Sequence, residues 1–255
     1  MRRLIGFACE GETLAATLDE APGTTGLLIV SGGNEIRSGA HRGMAMLARR
    51  LAATGTPVFR YDRRGVGDST GDNAGFLSAE PDLIAAAAAF RNAAPHVTCL
   101  IGFGNCDAAS TLALFGRSAG FDKVILANPW VIEPIDDLPP AAAIRHHYRT
   151  ALRDPATWRR ALSGKLNFTS LIKGLLRIIQ TGEESQNPLA SRVLTAIAAW
   201  QTDAAVILAR GDATAIAFAA AAGAAVPSET IDTDSHSFTG PAAAALETAL
   251  RRNLA

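Results

Sequence analysis

Three residues of this chain, Cys106, Asp212 and His236, are of the types and in the places that make a nucleophilic relay. Cys106 lies in Gly104-Asn105-Cys106-Asp107-Ala108, after the apolar run HVTCLIGFG (96–104) and before the helical pattern Ala109-Ser110-Thr111-Leu112-Ala113-Leu114-Phe115. The pattern is G-x-C-x-A at a strand-to-helix junction. A nucleophile in this setting sits on a tight, strained turn, and small residues on either side let strand and helix approach. The helix start then aims backbone N–H groups at the sulfur, which favours a thiolate and stabilises a developing oxyanion. Cysteine is also among the most buried residue types, so packing is the competing account. The strand–turn–helix context favours the nucleophile for Cys106, whereas Cys9, near the terminus, and Cys99, inside a strand, keep the packing account.

Acid and base candidates come late in the chain. The run AAVILARG (204–211) ends just before Asp212, and SETIDT (228–233) ends just before Asp234-Ser235-His236. Both stand at the C-terminal ends of consecutive strands, where loops gather in open α/β sheets. His236 would take the thiol proton, and Asp212 would hold the imidazole tautomer and stabilise its charged form. Asp212 also suits a helix N-cap, a role compatible with the first. Asp232 and Asp234 compete as acids but sit beside the histidine in sequence, and His41, His96, His146 and His147 follow no late strand. The turn Ser31-Gly32-Gly33-Asn34 offers backbone N–H groups of Gly33 or Asn34, with that of Asp107, as an oxyanion hole; an ordinary glycine turn is the alternative.

The loop Tyr61-Asp62-Arg63-Arg64-Gly65-Val66-Gly67-Asp68-Ser69 opens no helix with G-x-G-x-x-G, so a dinucleotide reading is weak. It reads as a structural loop in which Arg63 or Arg64 is a candidate to bind an anionic group. His146 and His147 are adjacent on an expected helix and point apart, unlike an i, i+4 ligand pair, and the three cysteines lack zinc-type spacing. No metal and no organic cofactor are implied.

The elements that must position these residues alternate. Residues 3–8 and 12–18 read as a leading hairpin, 26–33, 56–62, 96–104, 123–129, 204–211 and 228–233 as strands, and 40–53, 82–94, a stretch from 106, a stretch after 211, and 241–253 as helices. That alternation predicts an α/β fold with a mostly parallel sheet flanked by helices. Between Trp130 and Gln201 the alternation stops. This stretch of roughly 70 residues far exceeds an ordinary connection of about 2–6. It is expected to be a helical cap inserted after the sixth strand, with its own apolar residues Trp158, Leu162, Phe168, Leu171 and Leu175. The expected division is a core of 1–129 and 202–255 and an insertion of 130–201. Trp130, Tyr148 and Trp158 are candidates to line an acyl pocket, although core packing is the commoner fate of such residues.

Composition narrows the class. Twenty-four basic and 24 acidic side chains cancel in 255 residues, without the basic footprint of a nucleic-acid binder. An odd count of three cysteines is no disulfide framework. The apolar stretch after Arg2-Arg3 breaks at once at Cys9-Glu10-Gly11-Glu12, so no signal peptide is expected. No run of about 20 apolar residues exists, so no membrane span is expected. A cytoplasmic location is the default, and the oligomeric state is not legible.

Together the SGG loop, the YDRRGVGDS loop, the GNCDA elbow, the ARGD acid loop and the DSHSF base loop resemble the α/β-hydrolase superfamily over nearly the whole chain. More narrowly, Gly39-Ala40-His41-Arg42, the Tyr-Asp-Arg-Arg-Gly-Val-Gly-Asp-Ser run, the cysteine elbow and Asp154-Pro155-Ala156-Thr157-Trp158-Arg159-Arg160-Ala161-Leu162 resemble the exosortase-A-system-associated hydrolases of bacteria. The departures are Ala108 where many family elbows carry glycine and Ser31 where many relatives carry histidine. The resemblance implies an association with exopolysaccharide and protein-sorting systems and supplies no substrate. A thiolate nucleophile suits esters and thioesters better than amides, so the expected activity is hydrolysis of a small acyl substrate through an acyl-cysteine. Two alternatives stay open: transfer of the same acyl group to another acceptor, and a non-catalytic binding module that retains the fold.

Overall fold

The structure, a computed structural model, describes residues 1–132 and 187–254. β1 (Arg2–Cys9) and β2 (Glu12–Asp19) form a hairpin. β3 (Thr25–Val30), α1 (Gly43–Ala53), β4 (Val58–Tyr61), α2 (Glu80–Ala93), β5 (Cys99–Asn105), α3 (Asp107–Phe115) and β6 (Lys123–Ala127) follow. Beyond residue 186 come α4 (Pro188–Trp200), β7 (Ala204–Ala209), α5 (Ala213–Ala222), β8 (Glu229–Ile231) and α6 (Ala242–Leu254). Each strand expected from sequence is present, with ends displaced by a few residues, the ordinary uncertainty of element boundaries. The helix expected from residue 40 starts as a 3-10 turn, in which His41 and Arg42 have φ of 51° and 62°, and becomes α-helical at Gly43.

The strands make one eight-stranded sheet in the order β1-β2-β4-β3-β5-β6-β7-β8. β1 pairs with β2 and β2 with β4 in antiparallel fashion, and every other pair is parallel. The central strands are apolar on both faces, as strands covered by helices on both sides must be. Side chains alternate across the sheet. Leu27, Ile29, Val58, Ile101, Phe103, Ile125 and Ile207 pack on one face with Leu47, Ala48 and Leu51 of α1 and Leu246, Ala249 and Leu250 of α6. Leu28, Val30, Phe59, Leu100, Leu126, Val206 and Leu208 pack on the other with α2, α3, α4 and α5. The helix residues that pack recur every three or four positions, which is one face of an α-helix. Because β3 through β8 all run the same way, the residues just beyond their C-terminal ends converge on one edge of the sheet.

The chain divides into two compact units, 1–132 with 189–255, and 133–188. Most of the expected insertion of 130–201 lies outside the described residues. Its last stretch is α4, whose Leu189, Val193, Ile197 and Trp200 are buried in the main core, with Trp200 Nε1 donating to the Ala113 carbonyl at 3.0 Å. The main unit therefore resumes at 189, where the sequence pattern placed the boundary at 202. The reason is plain in retrospect: α4 spaces its apolar residues as a helix packed on a sheet does, which a reading keyed to strands passes over.

Candidate active site

Cys106 stands between β5 and α3 with φ 64° and ψ −128°. A non-glycine residue with positive φ costs on the order of 1–3 kcal/mol, so the surroundings must hold it there. They do: its N–H donates to Ala127 O at 2.9 Å, and its carbonyl accepts from Ala109 N at 3.1 Å and Trp130 N at 3.3 Å. A Cβ on Gly104 would lie 2.6 Å from the carbonyl carbon of Ala108. The glycine of G-x-C-x-A is thus set by backbone contact, and Ala108, wholly buried, fills the remaining space.

On the neighbouring strand ends, His236 Nδ1 and Asp212 Oδ1 are 2.9 Å apart. The other carboxylate oxygen of Asp212 accepts from Ala215 N at 3.0 Å, so Asp212 caps α5 while it holds the ring. Cys106 also interacts with the side chain of His236. Burial disfavours a charged ring, but the interactions with Asp212 and Cys106 outweigh it, and His236 is pushed up to about 9. Burial likewise opposes charge on Asp212, and the bond to His236, its positive charge and backbone N–H groups of α5 win, so this carboxyl is lowered. The competing acids are elsewhere engaged or exposed: Asp232 is 85% exposed and faces Arg210 at 3.6 Å, and Asp234 is exposed. His96 bonds the Ala21 carbonyl at 2.9 Å, His41 sits in the turn before α1, and His146 and His147 lie outside the described residues.

The glycine turn after β3 corrects one expectation. The N–H of Gly33 is not available to a substrate oxygen, because it donates to the carboxylate Oδ1 of Asp107 at 2.7 Å. A Cβ on Gly32 would lie 2.6 Å from the Asn105 carbonyl oxygen and 2.8 Å from Asp107 Oδ1, so this turn is pressed against the elbow. The backbone N–H groups of Asn34 and Asp107 have no acceptor among the described residues. Arg63, 3% exposed, bonds the Gly33 carbonyl and lies 3.5 Å from Asp107 Oδ2. Arg64 bonds Asp82 and Glu10, each at 2.6 Å. Both arginines thus already face carboxylates of the chain itself. Trp130 is half-buried beside the elbow, its carbonyl accepting from Ser110 Oγ at 2.7 Å, whereas Tyr148 and Trp158 lie outside the described residues.

Two asparagines that the sequence reading passed over lie among these groups. Asn105 precedes Cys106, and Asn128 follows β6, and both donate to the main-chain carbonyl of His236. The other thiols stand apart: burial and the neighbouring Asp82 push Cys9 up to about 11, and burial and Asp122 raise Cys99. All three cysteines are free.

No family model and no curated protein matches the chain. Solved structures do. An α/β serine hydrolase without lid from Xanthomonas campestris superposes with a TM-score of 0.60 at 15% identity, over 99% of this chain and 93% of that one. An esterase from Pyrococcus furiosus gives 0.64 at 13%, over 100% and 89%. The thioesterase domain from the curacin biosynthetic pathway gives 0.58 at 14%, over 98% and 99%. With the strand order above, this decides the architecture. The chain has the α/β-hydrolase fold. Cys106, Asp212 and His236 meet at the edge of the sheet where the parallel strands end. No described helix is long and apolar enough to cross a membrane.

Proposed function

We propose that the protein is a hydrolase of esters or thioesters that works through an acyl-cysteine at Cys106. The observation that carries this reading is the grouping at the strand ends: Asp212 Oδ1 lies 2.9 Å from Nδ1 of His236, and Cys106, on its strained turn, interacts with the same side chain. In the first half-reaction the sulfur attacks the acyl carbonyl carbon, and the carbonyl π electrons move onto oxygen. The N–H groups of Asp107 and Asn34 receive that oxyanion, at the start of α3 where the helix dipole adds to their effect. When the intermediate collapses, the bond to the leaving alcohol or thiol breaks, and the proton on His236 goes to it. In the second half-reaction His236 takes a proton from water as it attacks the thioester carbon, and the Cys106 sulfur leaves. Asp212 keeps the ring oriented and stabilises its charge throughout, without taking the proton.

The likeness in fold to an esterase and a thioesterase domain supports this substrate class. Trp130, half-buried beside the elbow, is proposed to line the acyl pocket, while the expected cap and its Tyr148 and Trp158 lie outside the described residues. A setting in exopolysaccharide and protein-sorting systems is proposed on the sequence resemblance alone.

The test is intact mass measured within seconds of adding activated acyl esters and thioesters, with Cys106→Ala in parallel. The reading expects an adduct on Cys106 in the native protein, absent from the variant, whose decay releases free acid. Decay that yields acylated alcohol instead would make the protein an acyltransferase. Neither adduct nor turnover across a broad panel would favour a non-catalytic module.

A further inference from the structure

The carbonyl oxygen of His236 accepts from Asn105 Nδ2 at 3.0 Å and from Asn128 Nδ2 at 3.3 Å. Asn128 Nδ2 also donates to Asn105 Oδ1 at 3.0 Å, so the two amides bond each other as well as the same acceptor. Asn128 Oδ1 accepts from Ala209 N at 2.8 Å, and its own N–H donates to Ile207 O at 2.9 Å. Asn128 is wholly buried and sits at φ 43°, a left-handed conformation that asparagine tolerates better than most side chains. One amide pair therefore touches the end of β5 one residue before Cys106, the end of β6, the end of β7 three residues before Asp212, and the loop that carries His236.

We infer that Asn105 and Asn128 form a positioning pair that holds the main chain of His236 against the strand ends carrying Cys106 and Asp212. The inference rests on the proposed role of His236 as base. Neither asparagine touches the reacting atoms. They act through the placement of the ring, which hangs from the loop after β8. Buried networks of this sort are worth keeping only when every member is satisfied. Here each polar atom of the Asn128 amide has a partner. An aspartate at 128 would match the shape but turn an oxygen toward both the Asn105 and His236 oxygens.

The experiment follows the His236 ring by NMR across pH in the native protein, Asn105→Ala and Asn128→Ser, with acyl turnover and melting temperature measured alongside. Among the described residues, Asp212 and Cys106 are the titratable groups that act on the ring, and neither is altered in these variants. The pair predicts that His236 titrates at least one unit lower in each variant, and that kcat falls on the order of tenfold to a hundredfold with KM little changed, as a misplaced catalytic group does. The double variant should lose little more than either single one. Variants that melt earlier but titrate and turn over like the native protein would overturn the inference and leave the asparagines a structural role. Should Asn128→Ser fail to fold, Asn105→Ala decides alone, since Asn105 is only half-buried. A native His236 that titrates near 6.5 would instead sink the relay itself, so the two failures are distinguishable.

Discussion

Asp107 does more with its side chain than with the N–H that first drew notice. Its carboxylate accepts the Gly33 N–H at 2.7 Å and faces the buried Arg63, which in turn bonds the Gly33 carbonyl. The glycine turn is thus held through both peptide groups that flank the Gly33 α-carbon. Asp107→Asn keeps an oxygen for Gly33 and should stay within a few-fold of native turnover, on the order of 1 kcal/mol or less in the barrier. Asp107→Ala leaves Gly33 N–H and the Arg63 guanidinium without that partner, and urea denaturation should show a loss of about 1.5–3 kcal/mol, the range for a hydrogen bond to a charged group. Its turnover should fall further than that of the asparagine variant, because the loop carrying Asn34 loses its tether. Equal turnover in the two variants would remove the tether from the account.

At the scale of elements, the elbow is a contest between β5 and α3 for the same space. Gly104→Ala would set a methyl 2.6 Å from backbone at Ala108, where neither side can yield by a rotamer change. Overpacking of this kind costs about 1–3 kcal/mol, and circular dichroism melts should register it. Turnover should drop by more than the stability loss accounts for, since the displaced atoms carry Cys106. This contact is also why the elbow was legible in the sequence: a small residue two positions either side of a reactive one, between a strand and a helix, is a steric signature. The positions of Asp212 and His236 at strand ends were legible for a related reason, each following a run of strand-like residues. The asparagines were not, because Asn105 and Asn128 look like ordinary loop residues and only the parallel pairing of β5, β6 and β7 brings them together. The Gly33 N–H is hidden from the sequence for the same cause, since its partner is a side chain 74 residues away. The packing of α4 in the main core was hidden by the long stretch before it, which drew the whole segment into the insertion.

Across the whole molecule, folding must carry the charge of the relay. His236 has its folded value raised from 6.5 to about 9, so the folded protein keeps a proton that the unfolded chain releases over that interval. The stability this group contributes is full below about 6.5 and is lost as pH rises through about 9. Asp212, shifted down, contributes in the opposite sense, with its stabilisation lost as the medium becomes acidic. The native protein should therefore melt progressively earlier between pH 6.5 and pH 9.5, and His236→Gln should show a flatter profile over that window; parallel profiles would contradict the assigned shift. The distribution of sulfur has its own consequence. Cys9 and Cys99 are both held in the unreactive thiol form by burial and a neighbouring carboxylate, at about 11 for the first. Mild peroxide at neutral pH should consequently inactivate the protein through a single sulfenic acid, reversible by dithiothreitol, with the remaining two thiols serving as an internal count of how much protein was present.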